Sequence, residues 1–84
     1  MKEKRVLPAL RPVILKDWRS RWDGHVCRVL AGPHLERSVS PGEIAVFEPT
    51  GETETVEEEY EVKAGRRVRS VEALVYRRAS TRLV

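Results

Sequence analysis

The constraint that does most to decide this fold is a period of two. From Gly51 to Arg78 the chain runs GETETVEEEYEVK, AG, RRVRSVEALVYRR, with Val56, Tyr60 and Val62 at even positions and Glu57, Glu59, Glu61 and Lys63 at odd ones. Successive side chains of a strand point to opposite faces, so this alternation makes a half-buried strand, whereas a helix would scatter the same residues around its axis. Gly65 supplies a position of positive φ, and a three-residue loop Lys63-Ala64-Gly65 with a left-handed Gly65 is a common way to close a hairpin. That loop sets Tyr60 opposite Val68 on one face, with Glu61 opposite Arg67 and Glu59 opposite Arg69 on the other. An acidic strand is thereby answered by a basic one, each exposed ion pair contributing toward the low end of roughly 0.2–1 kcal/mol. Glu58 is the misfit, because it falls on the face that should be apolar; a bulge or an edge position there would resolve it.

Similar reasoning yields three more strands. Residues 13–18 and 25–31 form a pair joined through Asp23-Gly24, a favoured turn dipeptide. Gly32-Pro33, Ser38, Ser40 and Pro41-Gly42 mark residues 32–42 as a long loop. The apolar run Ile44-Ala45-Val46-Phe47 lies in a strand over residues 43–48, which a turn at Pro49-Thr50-Gly51 ends. Pro8 and Pro12 exclude a regular helix from residues 1–12, which read as an extended basic arm.

Beyond Ser70 two readings compete. Val71, Leu74, Val75, Ala79 and Leu83 fit an amphipathic helix capped by Ser70. Against it, Val68, Val71, Val75 and Tyr76 favour strand, and the partner strand would otherwise go unpaired. The fold expected is therefore mainly β, one domain over residues 1–84, built as a small five-stranded antiparallel barrel or curled sheet of the SH3-like or OB-like kind. The alternative is an α+β arrangement with a C-terminal helix from about residue 70. Val13, Leu15, Val26, Leu30, Ile44, Val46, Val56, Tyr60, Val62, Val68, Leu74 and Tyr76 are the positions expected to point inward.

An 84-residue chain builds one modest core. Its formal charge of +3 conceals three blocks. Residues 1–42 carry +5, residues 43–65 carry −7 and residues 66–84 carry +5. Arginine outnumbers lysine twelve to four, which suits bidentate pairing with carboxylate or phosphate. The single Cys27 allows no intrachain disulfide, no signal-peptide pattern follows the basic start, and no apolar run approaches the roughly 18 residues of a membrane span. A cytoplasmic location is the expectation.

Three kinds of chemistry can be weighed against this pattern. Asp23, His25, Cys27 and His34 can ligate metals, but they lack the two close ligand pairs of a zinc site, so no metal and no cofactor are expected. The nucleophile motifs and Gly-rich phosphate loops of known enzymes are also missing. A small ribonuclease-type toxin using His25 or His34 with arginines as phosphate clamp is the remaining enzymatic reading. Clustered cations beside aromatics suit nucleic acid, which makes Arg19, Arg21, Trp22, Arg28, Arg66, Arg77 and Arg78 the candidate contacts for a nucleic-acid or nucleoprotein partner. Arg66, Arg77 and Arg78 rank ahead of Arg67 and Arg69, which the hairpin register gives acidic neighbours. A non-enzymatic binding protein follows as the leading expectation. The alternative is a protein-interaction module, an assembly adaptor or inhibitor, that presents Glu57, Glu59 and Glu61 of the acidic strand 52–61 to a basic protein.

Overall fold

In a computed structural model that describes residues 9–19, 21 and 23–84, the chain forms five strands and no helix. They are β1 (Arg11–Lys16), β2 (His25–Val29), β3 (Leu35–Ser40), β4 (Glu43–Val62) and β5 (Gly65–Leu83). The helix alternative from residue 70 is thus replaced by a strand that runs to Leu83. Its β-branched and aromatic residues are satisfied on both sides, by β4 and by β1. Most of the basic arm, residues 1–8, lies outside the described residues, while Arg11 and Pro12 belong to β1. No helix among the described residues is long and apolar enough to cross a membrane.

The sheet order is β2-β1-β5-β4-β3. All neighbouring strands were expected to pair antiparallel, and β1–β2, β3–β4 and β4–β5 do. The β1–β5 pair is parallel, with Val13 beside Leu74 and Leu15 beside Tyr76. An odd number of alternating strands leaves the first and last pointing the same way, so a sheet that brings them together must pair them in parallel. The protein is therefore one mixed, open five-stranded sheet rather than the wholly antiparallel SH3-like or OB-like barrel expected. Its hydrogen-bonded circuit is open between β2 and β3, where the Arg37 guanidinium comes within 4.0 Å of the Cys27 sulfur.

One face of the sheet carries the buried apolar cluster: Val13, Leu15, Leu35, Val39, Ala45, Phe47 and Tyr76. Trp18, Cys27, Val29 and Leu74 pack against its margin. Tyr76 also ties down the connection from β2 to β3. Its hydroxyl donates to the Gly32 carbonyl at 2.6 Å and accepts from the Gly32 N–H at 3.1 Å. Ile14, Ala73 and Val75 alternate to the opposite face and are buried there. On that side the outer hairpin leans back over β1 and β2, held by ion pairs Lys16–Glu54 at 3.2 Å and Arg28–Glu58 at 2.5 Å.

Four details differ from the sequence reading, each for a physical reason. Residues 35–40, expected as loop, form β3, with Leu35 and Val39 inward. Arg37 occupies the inward position between them and a bulge interrupts the register between Ser38 and Ser40, so the alternation is masked. Pro49-Thr50-Gly51 does not end a strand either. β4 continues through it, but pairing jumps from Pro49–Tyr76 to Thr53–Leu74, leaving residues 50–52 as an extra segment opposite Val75. Gly51 takes φ +83° there, and Thr50 Oγ1 donates to the Val75 carbonyl and accepts from Glu52 N–H, which satisfies groups the break would strand.

Third, the hairpin closes on a two-residue loop, Lys63-Ala64, with Val62 paired to Gly65. Glu59 therefore faces Val68, Tyr60 faces Arg67 and Glu58 faces Arg69, one residue out of step with the three-residue loop. A one-residue slip moves side chains to the other face of a strand. Fourth, and as a result, Val68 lies 57 % exposed, and Val26, Leu30 and Val62 are also exposed rather than inward. Val26 and Leu30 fail for a different reason: the open edge leaves nothing beyond β2 to cover them. Phe47, Ala45, Leu35 and Val39 supply the apolar volume instead.

The Tyr76 hydroxyl joins the core to the β2–β3 connection, so its removal has a defined cost. Tyr76→Phe lowers the free energy of unfolding by about 1–2 kcal/mol, whereas Tyr60→Phe, which keeps the ring beneath Arg69, leaves it unchanged; urea unfolding followed by tryptophan fluorescence measures both.

Candidate interaction surface on the outer hairpin

Beyond the break at residues 50–52, β4 and β5 continue as a two-stranded ribbon to the Lys63-Ala64 turn. Its ten paired positions, nine steps of about 3.3 Å, make it roughly 30 Å long. The radius of gyration, 15.6 Å, exceeds the roughly 12 Å of a compact chain of this length, consistent with a projecting element. Directly opposed residues of an antiparallel pair share a face, so the register sorts the ribbon's charges into two sides.

One side carries Val56, Glu58 and Tyr60 from β4 with Val71, Arg69 and Arg67 from β5. It faces β2. Arg28 Nε donates to Glu58 Oε2 at 3.0 Å and its Nη2 to Oε1, a two-pronged contact that joins β2 to the ribbon. Arg69 adds Nε and Nη2 bonds to Oε1 at 3.0 and 2.8 Å, and its guanidinium lies 4.9 Å above the centre of the Tyr60 ring. Hydrogen bonds from Arg28 and then Arg69 hold the Glu58 carboxyl below the usual carboxylate range, and the same carboxylate raises Arg28. The residue that broke the sequence pattern thus ties the ribbon to β2, as Glu54 ties it to β1 through Lys16.

The other side carries Thr55, Glu57, Glu59 and Glu61 with Glu72, Ser70, Val68 and Arg66, all exposed. Arg66 reaches Glu59 at 3.5 Å. Four carboxylates against one guanidinium leave this flat face with a net −3, and Val68 provides an apolar spot at its middle.

The candidate arginines divide between several places. Arg19 and Arg21 are exposed in the connection from β1 to β2. That connection is braced: Asp17 adopts φ 62° with its N–H bonded to Asp23 Oδ1, Asp23 N–H donates to the Arg19 carbonyl at 2.8 Å, and Gly24 N–H donates to the Leu15 carbonyl at 2.9 Å. Arg77 and Arg78 come to the same end of the sheet. Arg77 Nη1 bonds Asp17 Oδ2 at 2.7 Å, which raises the Arg77 pKa, and Arg78 Nη1 donates to the Trp18 carbonyl at 2.8 Å. Arg28 and Arg66 lie apart from this group, on β2 and at the hairpin tip, and Trp22 falls outside the described residues. Two of the three arginines expected to lack acidic neighbours have them, Arg66 through Glu59 and Arg77 through Asp17, whereas Arg78, among the described residues, bonds only the Trp18 carbonyl and Thr81. The register slip explains Arg66, and the parallel β1–β5 pair, which carries Arg77 beside Lys16, explains Arg77.

Of the histidines, His25 packs edge-on against Trp18 with ring centres 5.6 Å apart, and His34 lies exposed in the β2–β3 connection. Concavities lined by Glu59, Tyr60, Glu61 and Arg66, and by Ala9, Arg11, Leu30 and Ala31, open broadly to solvent.

Glu58 titration has a definite sign. A carboxyl whose pKa falls on folding stabilises the protein fully above its unfolded value, roughly 4.3, and that contribution disappears as pH drops through the lowered folded value. Glu58→Gln therefore lowers the melting temperature at pH 7 and flattens the decline below about pH 4, measured by circular dichroism melts across that range. No family model, curated protein or solved structure matches this chain.

Proposed function

We propose that this protein is a non-enzymatic interaction module that meets a basic protein partner through the acidic face of its outer hairpin. The observation that carries the reading is the gathering of Glu57, Glu59, Glu61 and Glu72 on one exposed side with Arg66 as the opposing charge. Elsewhere among the described residues, carboxylates of the candidate surfaces are engaged: Glu58 by Arg28 and Arg69, Asp17 by Arg77, Glu36 by Arg82 and Glu54 by Lys16. Among the described residues, Glu57, Glu61 and Glu72 are the ribbon carboxylates left for an outside cation. A flat sheet face offers a partner both the charge and, at Val68, a contact for an apolar group. An adaptor or inhibitor that docks by a projecting ribbon matches this geometry.

A second reading, contact with nucleic acid, is favoured by the convergence of Arg19, Arg21, Arg77 and Arg78 at one end of the sheet. Asp17 and Asp23 in the same place reduce the positive potential there, which puts it behind the first.

A single set of nuclear magnetic resonance titrations separates the two. A nona-arginine peptide at low salt shifts amides of residues 55–61 and 66–72, and the triple variant Glu57→Lys/Glu59→Lys/Glu61→Lys loses at least about tenfold in affinity, the equivalent of 1.4 kcal/mol. Single-stranded DNA that shifts residues 17–24 and 77–78, while the peptide shifts nothing, would replace the first reading by the second.

A further inference from the structure

Resting on the acidic-face reading, we propose that the basic partner is a second copy of this chain, which offers the opposite side of its own hairpin. The two sides of the ribbon are complementary. One presents Glu57, Glu59, Glu61 and Glu72 against Arg66; the other presents Arg67 and Arg69, with Arg28 beside them, against Glu58. Among these side chains the net charges are −3 and +2. The second side is open where it matters: Arg67 and Arg69 are exposed, and Val62 near the tip is 36 % exposed. Ribbons stacked at the ordinary sheet spacing of about 10 Å would interleave glutamates of one copy with arginines of the next. Val68 of the first copy would then cover Val62 of the second, removing an exposed apolar group from each.

The contact joins different surfaces of the two copies, so it propagates into a closed ring or an open row rather than stopping at a symmetric pair. Its strength is limited by area. Only the outer part of the ribbon, from Glu58 to the turn, is open on both sides, so at roughly 15 Å by 10 Å the contact covers about 150 Å² per copy, well below the roughly 800 Å² of a standard interface. Association is accordingly weak and dependent on electrostatics.

Sedimentation of the whole protein tests this. In about 0.01 M salt, where the Debye length is about 30 Å, the average mass rises with protein concentration; in roughly 1 M salt, where it is about 3 Å, the rise is lost. Glu57→Lys/Glu59→Lys/Glu61→Lys abolishes association by making both sides positive. Arg67→Glu/Arg69→Gln abolishes it by making both sides negative, and leaves Arg28 to hold Glu58. Mixing the two variants restores association, because each then carries the complement of the other, and this recovery excludes misfolding as the cause of the losses. A wild-type protein that stays monomeric at low salt, or a mixture that does, overturns the proposal. If the nona-arginine peptide still binds that monomer, self-stacking falls while the acidic-face reading stands; if it does not, both fall.

Discussion

The parallel pairing of β1 with the middle of β5 is the constraint from which the rest of the structure follows. β5 gains neighbours on both sides, so Leu74, Val75 and Tyr76 lie in the centre of the sheet. Alternation then sends Leu74 and Tyr76 to the face that carries the core cluster and Ala73 and Val75 to the opposite face, where both are buried. Because the circuit closes between the first and last strands, its opening falls between β2 and β3, which are consecutive in the chain. The Tyr76 hydroxyl, placed by that same pairing, reaches the connection between them at Gly32. One strand contact thereby determines the core, the position of the opening and the brace across it.

Only four residues of β5, Leu74 to Arg77, pair with β1. The ribbon above them has no third strand. Its support comes from Arg28 and Lys16, which reach it from β2 and β1 through Glu58 and Glu54. Such bonds hold orientation more than they add stability, because exposed ion pairs are screened and pay for ordering two long side chains. The acidic side, having no comparable ties to the body, keeps its carboxylates for other contacts.

Much of the fold was legible in residue order. The alternation around Tyr60, the Asp23-Gly24 turn and the β-branched run near Val75 located strands because each is a local signal. The errors came from signals that are not local. Arg37 at an inward position concealed β3, since an arginine there makes sense only once Cys27 of β2, at the opposite edge of the sheet, comes within reach. The hairpin register was one residue out because pairing glutamates with arginines within the ribbon looks equally good in adjacent registers. The deciding partner, Arg28, lies thirty residues from Glu58. Glu58 itself was the visible clue, an acidic residue in an apolar row. For the surface, the blocks of charge were plain, but which charges cancel depends on the parallel pair that sets Arg77 near Asp17.

The β1–β5 pair also has a temporal side. The turn between β4 and β5 closes across two residues, whereas Val13 must find Leu74 across about sixty. At about 0.6 kcal/mol per doubling of loop length, that closure costs roughly 3 kcal/mol more chain entropy. Local hairpins therefore assemble ahead of the contact that organises the finished sheet. During that interval β5 has one unpaired edge bearing the most apolar stretch of its sequence, Ala73 to Tyr76, and β1 is the segment that must arrive to cover it.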